Sequence, residues 1–292
     1  MNILTFDIEE WYLEKRYFGD HVERYKEYDK YLDLILEILD RRGFKGTFFC
    51  VGGMATEFPE VVKKIESQGH EIGCHSFKHV WLNKMSREEV MEDTRMAIDA
   101  LEQCIGKKVK SYRAPAFSIG KDNKWAFEVL SQCGIKYDAS VFPAERDFGG
   151  FAQFTEKAPT LVYFNEGIMK EFPVCTSTLW GKELAYSGGG YFRFFPLSYI
   201  KREMGRNDYS MLYFHIRDLL PESEGMMSRD KYESYFKESG TLKNRFSRYV
   251  KTNLGKKSAF NKMMKLIETE TFVNIEQADA TIDWEKQMPV LL

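Results

Sequence analysis

His75 and His79, in the run His75-Ser76-Phe77-Lys78-His79, stand four residues apart. That spacing puts two imidazoles on one face of a helical turn, where both could hold one divalent first-row ion. A catalytic ion of that kind takes about one further protein ligand and keeps a position open for water. Carboxylates able to complete the set lie near the start of the chain. Asp7 and Glu9 alternate along an extended segment, so both can face the same way, whereas Glu10 faces the other. One of the two could bind the ion while the other accepts a proton from water. His215 closes the apolar run 209–214 and is placed to act as a general acid. Arg113, in Tyr112-Arg113-Ala114-Pro115-Ala116, needs a charged partner if buried, and Asp7 is the obvious one.

These groups share one kind of position. Asp7 follows a predicted strand over 3–6, His75 and His79 follow one over 70–74, Asp138 ends one over 135–138 and His215 follows 209–214. Arg113 lies near the end of a strand over 109–114. Between the strands run helical patterns. Tyr31, Leu34, Ile35, Ile38 and Leu39 precede a stop at Gly43, and Pro59 opens a helix that ends at Gly69. Ser86 and Glu89 form a capping box ahead of Val90, Ala97, Ile98, Leu101 and Ile105. Further helices are predicted over 124–133, 196–205 and from Ser258. Residues 11–28 read as loop and short helix, 139–170 as loops, 171–174 as a strand and 271–275 as the last strand. Strand and helix alternating through the chain predict a parallel α/β sheet, and seven or eight such units suit a closed, TIM-barrel-like ring. Active sites of barrels gather at the strands' carboxyl ends, where the polar candidates fall. No linker is visible, so residues 1–292 read as a single domain, with the motifs within 2–220 and residues 221–292 closing the barrel.

The chain of 292 residues is 43% hydrophobic, enough for a large core. Its net charge of −2 and lack of a basic stripe argue against a nucleic-acid partner. The five cysteines are scattered without a Cys-x-x-Cys pair, which fits reduced thiols in the cytoplasm. The chain enters a strand directly after Met1, without a leader pattern, and has no apolar run of about 18 residues for a membrane span. Gly188-Gly189-Gly190 lacks the Gly-Lys-Ser/Thr ending of a phosphate loop. Aromatic residues make up 15%, and Trp11, Phe117, Tyr191 and Phe192 lie near the candidate loops, where they could line a sugar groove.

In order along the chain, the motifs Thr5-Phe6-Asp7-Ile8-Glu9, His75-Ser76-Phe77-Lys78-His79, Arg113-Ala114-Pro115 and Leu212-Tyr213-Phe214-His215 resemble those of the polysaccharide deacetylase family of carbohydrate esterases. The phrases around Asp138, Glu171-Phe172-Pro173-Val174 and Gly188-Gly189-Gly190-Tyr191-Phe192-Arg193 resemble its subgroup linked to bacterial exopolysaccharide and capsule synthesis. The resemblance implies a distorted (β/α)7 barrel and a metal-dependent hydrolase that removes N-acetyl groups from amino sugars of a bacterial polysaccharide or its precursor. It implies Asp7 as general base, His75 and His79 as metal ligands, Arg113 as the partner of Asp7, and His215 as general acid. Asp138 would tune His215, although the tryptophan that relatives carry nearby is absent. Many relatives have a second aspartate next to the first as third ligand. Ile8 occupies that place here, and Glu9 fits the spacing of other relatives. Zinc is the expected metal, with cobalt, nickel, manganese or iron as alternatives. Trp11, Phe117, Tyr191 and Arg193 would contact the glycan. Cytoplasmic residence, at most peripheral to the inner membrane face, goes with this reading. Two other readings stand beside it: hydrolysis of a different C–N bond, such as a cyclic imide or ureide, and a glycan-binding relative without catalysis.

Overall fold

Residues 3–8 are buried without interruption, a pattern that only a strand covered on both faces can sustain. The computed structural model describes residues 1–146, 149–165, 167–179, 181–236 and 238–292. Its strands are β1 (Asn2–Ile8), β2 (Thr47–Cys50), β3 (Glu71–Cys74), β4 (Ser111–Tyr112), β5 (Tyr137–Asp138), β6 (Thr160–Phe164), β7 (Gly167–Glu171), β8 (Thr176–Leu179), β9 (Lys182–Ala185), β10 (Ser210–His215) and β11 (Val290–Leu291). The helices from the first half are α1 (Glu10–Tyr17), α2 (Val22–Arg42), α3 (Gly52–Glu57), α4 (Pro59–Ser67), α5 (Arg87–Ile105) and α6 (Ala126–Gln132). From the second half come α7 (Gly189–Phe194), α8 (Leu197–Arg206), α9 (Ile216–Leu219), α10 (Arg229–Phe236), α11 (Leu242–Asn253), α12 (Lys256–Thr269) and α13 (Ile275–Asp279).

The sheet order is β10-β1-β2-β3-β4-β5-β7-β6-β11. From β10 to β7 every pairing is parallel, and β6 then returns antiparallel on β7. Seven parallel strands therefore make the distorted β/α barrel. Its seam lies between the chain just beyond β7 and the start of β10. Side chains close it: Tyr209 donates its hydroxyl to the Pro173 carbonyl at 2.8 Å, and the Met211 N–H reaches Cys175 Sγ at 3.1 Å. Alternation sorts the side chains of β1. Thr5 and Asp7 point inward, while Phe6 stacks on Phe48 (4.8 Å) and lies 5.9 Å from Phe214 on the helix-covered side.

The opposite mouth is stoppered by the C-terminal segment. Val273 pairs with both Asn2 and Leu4 at the start of β1. The Ile275 N–H donates to Thr47 Oγ1 (2.9 Å) and the Glu276 N–H to Glu71 Oε2 (3.1 Å), at the starts of β2 and β3. Asp279 accepts from Tyr137 (2.9 Å) and Lys170 (2.5 Å), at the starts of β5 and near β7. The expected strand over 271–275 is thus one bridging residue followed by α13. A capping box at Asn274 and Gln277 starts that helix instead.

Other boundaries move for packing reasons. Residues 10–17 are helical, and the helix expected through 31–39 starts earlier, at Val22, where loop and short helix were expected over 11–28; Trp11 and Tyr28 are core residues whose rings meet at 5.3 Å. The β6–β7 hairpin occupies the end of the stretch read as loops, from Thr160 on, and the β8–β9 hairpin lies beyond it. The glycine-rich run starts α7; a Cβ at Gly188 would meet the Tyr213 ring at 2.3 Å, so close packing on β10 accounts for a glycine there. No helix among the described residues is long and apolar enough to cross a membrane.

Candidate functional site

β1 and β10 run side by side with Asp7 opposite His215, so the pairing register alone brings these two groups together. His215 Nε2 is 3.7 Å from Asp7 Oδ2 and 3.8 Å from Glu9 Oε1. Two residues past Asp7, on the same side, Glu9 reaches over the mouth as the chain turns into α1. His75 follows β3. Its Nδ1 lies 2.7 Å from the Arg113 carbonyl, which can only accept, so the proton sits on Nδ1 and Nε2 offers a lone pair.

His75 and His79 are not on a helical turn. The segment after β3 is an irregular loop in which Ser76 (φ 62°) and His79 (φ 57°) are left-handed. Asp93 of α5 holds it by accepting the N–H groups of Phe77 (2.7 Å) and Lys78 (3.2 Å), and Ser76 Oγ accepts that of His79 (2.9 Å). Ala116 and Phe117, after Arg113, are also left-handed. Among the described residues, the non-glycine positions with positive φ all fall in these two loops, a clustering of strain typical of sites where geometry is imposed from around them.

The result is a tight donor set. Glu9 Oε2 stands 2.6 Å from His79 Nε2 and 3.4 Å from His75 Nε2, and all three ligand atoms lie within 4.8 Å of one another. Glu9 Oε2 is buried and, among the described residues, has only these imidazole nitrogens as polar side-chain neighbours at this range. Burial opposes the charge of Glu9, but His79 and His215 outweigh it and hold the carboxyl well below its usual range. A buried carboxylate oxygen converging with two imidazole nitrogens fits a divalent cation. Glu10, by contrast, turns away and accepts the Arg217 N–H at 2.9 Å; burial, then the Glu9 charge, pushes its carboxyl up to about 7.

Arg113 spans the barrel interior and is fully buried. Its Nη1 donates to Asp7 (2.7 Å) and Thr5 (2.9 Å), its Nε to the Ala139 carbonyl (3.2 Å), and its guanidinium lies 4.3 Å over the Phe49 ring. The expected pairing with Asp7 is therefore present in the fold.

Asp138 is elsewhere. It accepts from Ser140 Oγ (2.6 Å) and is the register partner of Glu171 on β7, with no hydrogen bond or ion pair to His215 among the described residues. The carboxylate beside His215 is Asp218, 3.2 Å from Nδ1, and Asp218 is in turn 3.4 Å from Arg193. Sequence reading passed over Asp218; its only signal is the three-residue step from His215 into the single turn of α9. Burial disfavours charge on His215, but Glu9, Asp218 and Asp7 overcome this and raise it to about 10.

The aromatic contacts need correction. Trp11 is 1% exposed and belongs to the core. Phe117 is 4% exposed, with its ring against Phe142 and Tyr213 beneath the site. Arg193 is also buried, donating to the carbonyls of Lys251 (2.9 Å) and Thr252, so it supports Asp218 and does not face a groove. Tyr191 alone of the four is partly exposed.

Fold and site together define a β/α barrel with a His–His–carboxylate cluster at the carboxyl ends of its strands. Residues 3–137 match the family model described as Polysaccharide deacetylase. Residues 139–279 match a second family, described as Domain of unknown function (DUF3473), and β5 lies across the junction. A peptidoglycan-N-acetylglucosamine deacetylase from Bacillus cereus is 35% identical over 95 residues, 32% of this chain and 34% of that protein. A chitooligosaccharide deacetylase from Azorhizobium caulinodans is 35% identical over 98 residues, 33% of this chain and 44% of that one. The matched stretches span 29% to 39% of the length of the first such relatives.

Among solved structures, a Mycobacterium smegmatis protein assigned to the polysaccharide deacetylases has a TM-score of 0.65 at 18% identity, covering 100% of this chain and 92% of that one. A Bacillus anthracis pseudoenzyme of carbohydrate esterase family 4 has a TM-score of 0.50 at 14% identity, covering 100% and 69%. These likenesses establish the fold across both matched segments.

Proposed function

We propose that this chain is a metal-dependent hydrolase that removes N-acetyl groups from amino sugars of a bacterial polysaccharide or its precursor. The observation that carries the reading is the convergence of Glu9 Oε2, His75 Nε2 and His79 Nε2 at the barrel mouth, within 4.8 Å of one another. Deacetylase names among the relatives supply the substrate class, an N-acetylated glycan. Since a pseudoenzyme shares the fold, the complete set of site residues is what favours catalysis here.

Two imidazoles and one carboxylate suit zinc, with cobalt, nickel, manganese or iron as competitors. Such an ion supplies Lewis-acid polarisation of the acetamide and of a water. Asp7, fixed by Arg113, takes the proton of the attacking water. His215, whose protonated form Asp218 and Asp7 favour, gives a proton to the departing amine. Tyr191 is the aromatic left to meet the sugar. The cysteines are all free thiols, in keeping with the cytoplasm.

The test pairs metal analysis of the purified protein with acetate release from N-acetylated oligosaccharides. Expected are about one ion per chain and metal-dependent acetate. Asp7→Asn should keep the ion and lose about 10²–10⁴ in kcat, whereas His79→Ala should lose the ion. An ion without acetate release would move the reading to another C–N bond; no ion after reconstitution would leave a glycan-binding relative.

A further inference from the structure

Helix α11 is amphipathic the wrong way round for a helix that packs on a core. Leu242, Phe246, Tyr249 and Val250 recur at i, i+4, i+7 and i+8, which makes one apolar stripe, and Leu254 extends it past the C-terminus. The stripe faces out: Leu242 is 65% exposed and Phe246 58%, and no residue of α11 is buried. The helix is held to the segment that precedes it, residues 224–240, through its polar side. Asn244 donates to the Ser239 carbonyl (2.9 Å), Arg245 to those of Gly240 (3.1 Å) and Met227 (3.2 Å), and Asn253 to that of Glu224 (3.0 Å). Contiguous exposed apolar side chains of this kind mark a surface that something covers.

Charge identifies the cover. Residues 241–257 hold six lysines and arginines and no acid, in a chain whose net charge is −2. Lys243 and Lys257 are exposed at the two ends of the stripe. A convex apolar stripe with cations at its margins matches the boundary of an anionic bilayer, where rings and aliphatic chains enter the acyl layer and lysines meet headgroup phosphates.

We propose that α11 docks this protein on an anionic phospholipid surface. The docked helix is tied to the site, because the carbonyls of Lys251 and Thr252 hold Arg193, which supports Asp218 beside His215. Docking would therefore set the mouth of the barrel near the lipid headgroups, where a lipid-carried glycan would lie. The proposal itself is independent of the reaction.

The experiment is co-sedimentation of the full chain with vesicles of equimolar phosphatidylglycerol and phosphatidylcholine, beside vesicles of phosphatidylcholine alone. The wild type should partition onto the anionic vesicles at least about tenfold more strongly, and less so as salt rises. Leu242→Ser with Phe246→Ser should lower that partition by about an order of magnitude, with an unchanged thermal melt. Lys243→Glu with Lys257→Glu should erase the preference for phosphatidylglycerol. Absence of wild-type binding to either vesicle, or full binding by the Leu242→Ser/Phe246→Ser variant, would overturn the proposal. So would self-association of the wild type in sedimentation velocity that the same variant abolishes, which would assign the stripe to a second copy of the chain.

Discussion

At the scale of single residues, the unexpected pairing is His215 with Asp218. A general acid must present one nitrogen to the leaving group, and the hydrogen bond on the other nitrogen decides its orientation. Asp218 takes Nδ1, and Arg193, anchored on the carbonyls of Lys251 and Thr252, keeps Asp218 in place. Burial opposes charge on Asp218, but Arg193 and then His215 draw it down to about 2, so it stays an acceptor throughout the working range. Asp218→Asn keeps the volume and removes the charge. We expect kcat to fall about 10- to 100-fold, a share of the roughly 10²–10⁴ that a positioned acid contributes. KM and metal content should not change, Asp218→Glu should recover part of the loss, and steady-state kinetics beside metal analysis would check all three. Equal activity in Asp218→Asn would return the orientation of His215 to its backbone alone. Asp7, His75, His79 and Arg113 were legible in the sequence because their chemistry needs those residue types at fixed places after strands. Asp218 was not, since an aspartate three residues from a histidine is common and only α9 turns it back. Trp11 and Phe117 misled for a related reason: an aromatic near a catalytic loop reads the same in sequence whether it lines the groove or supports the loop from below.

Between elements, the β5–β7 pairing holds a buried carboxyl pair. Asp138 and Glu171 are register partners on adjacent parallel strands, and both are fully buried. Glu171 Oε1 accepts the Val141 N–H at 3.1 Å, while its buried Oε2 has no hydrogen-bond partner among the described residues, a setting that favours the protonated carboxyl. Burial, followed by the neighbouring Asp138, raises Glu171 well above its ordinary 4.5. A carboxyl raised on folding contributes stability that is complete below its unfolded value and is lost as pH climbs through the folded one. The melting temperature should therefore fall, as pH rises above the ordinary glutamate range, more steeply in the wild type than in Glu171→Gln, which does not titrate. Parallel slopes for the two proteins would show that Glu171 holds no proton in the fold. Strand pairing of this sort was only partly visible beforehand. Long amphipathic helices such as α5 announce themselves by period and capping box, while β4 and β5 have two residues each and draw their identity from neighbours far off in sequence.

For the whole molecule, the question is whether two matched families mean two folding units. Residues 3–137 provide β1 to β4 and part of β5, and alone they would leave the sheet without β7 and β10, with Asp7 and Arg113 facing water in place of Met211 and His215. Residues 139–279 supply those strands and also the stopper, since Val273, Ile275, Glu276 and Asp279 contact the starts of β1, β2, β3 and β5 from below. A core divided in this way has no half that can bury its own apolar surface, and β1 is hydrogen-bonded on one side to each family's share. We propose that residues 1–292 unfold as one cooperative unit. Calorimetry should give a single transition whose calorimetric and van't Hoff enthalpies agree, and a fragment of residues 1–138 should show no cooperative melt. Two resolved transitions, or a folded fragment, would mean that the barrel's first half is stable without its closing strands, and the C-terminal segment would then be an addition to the fold and not a part of its core.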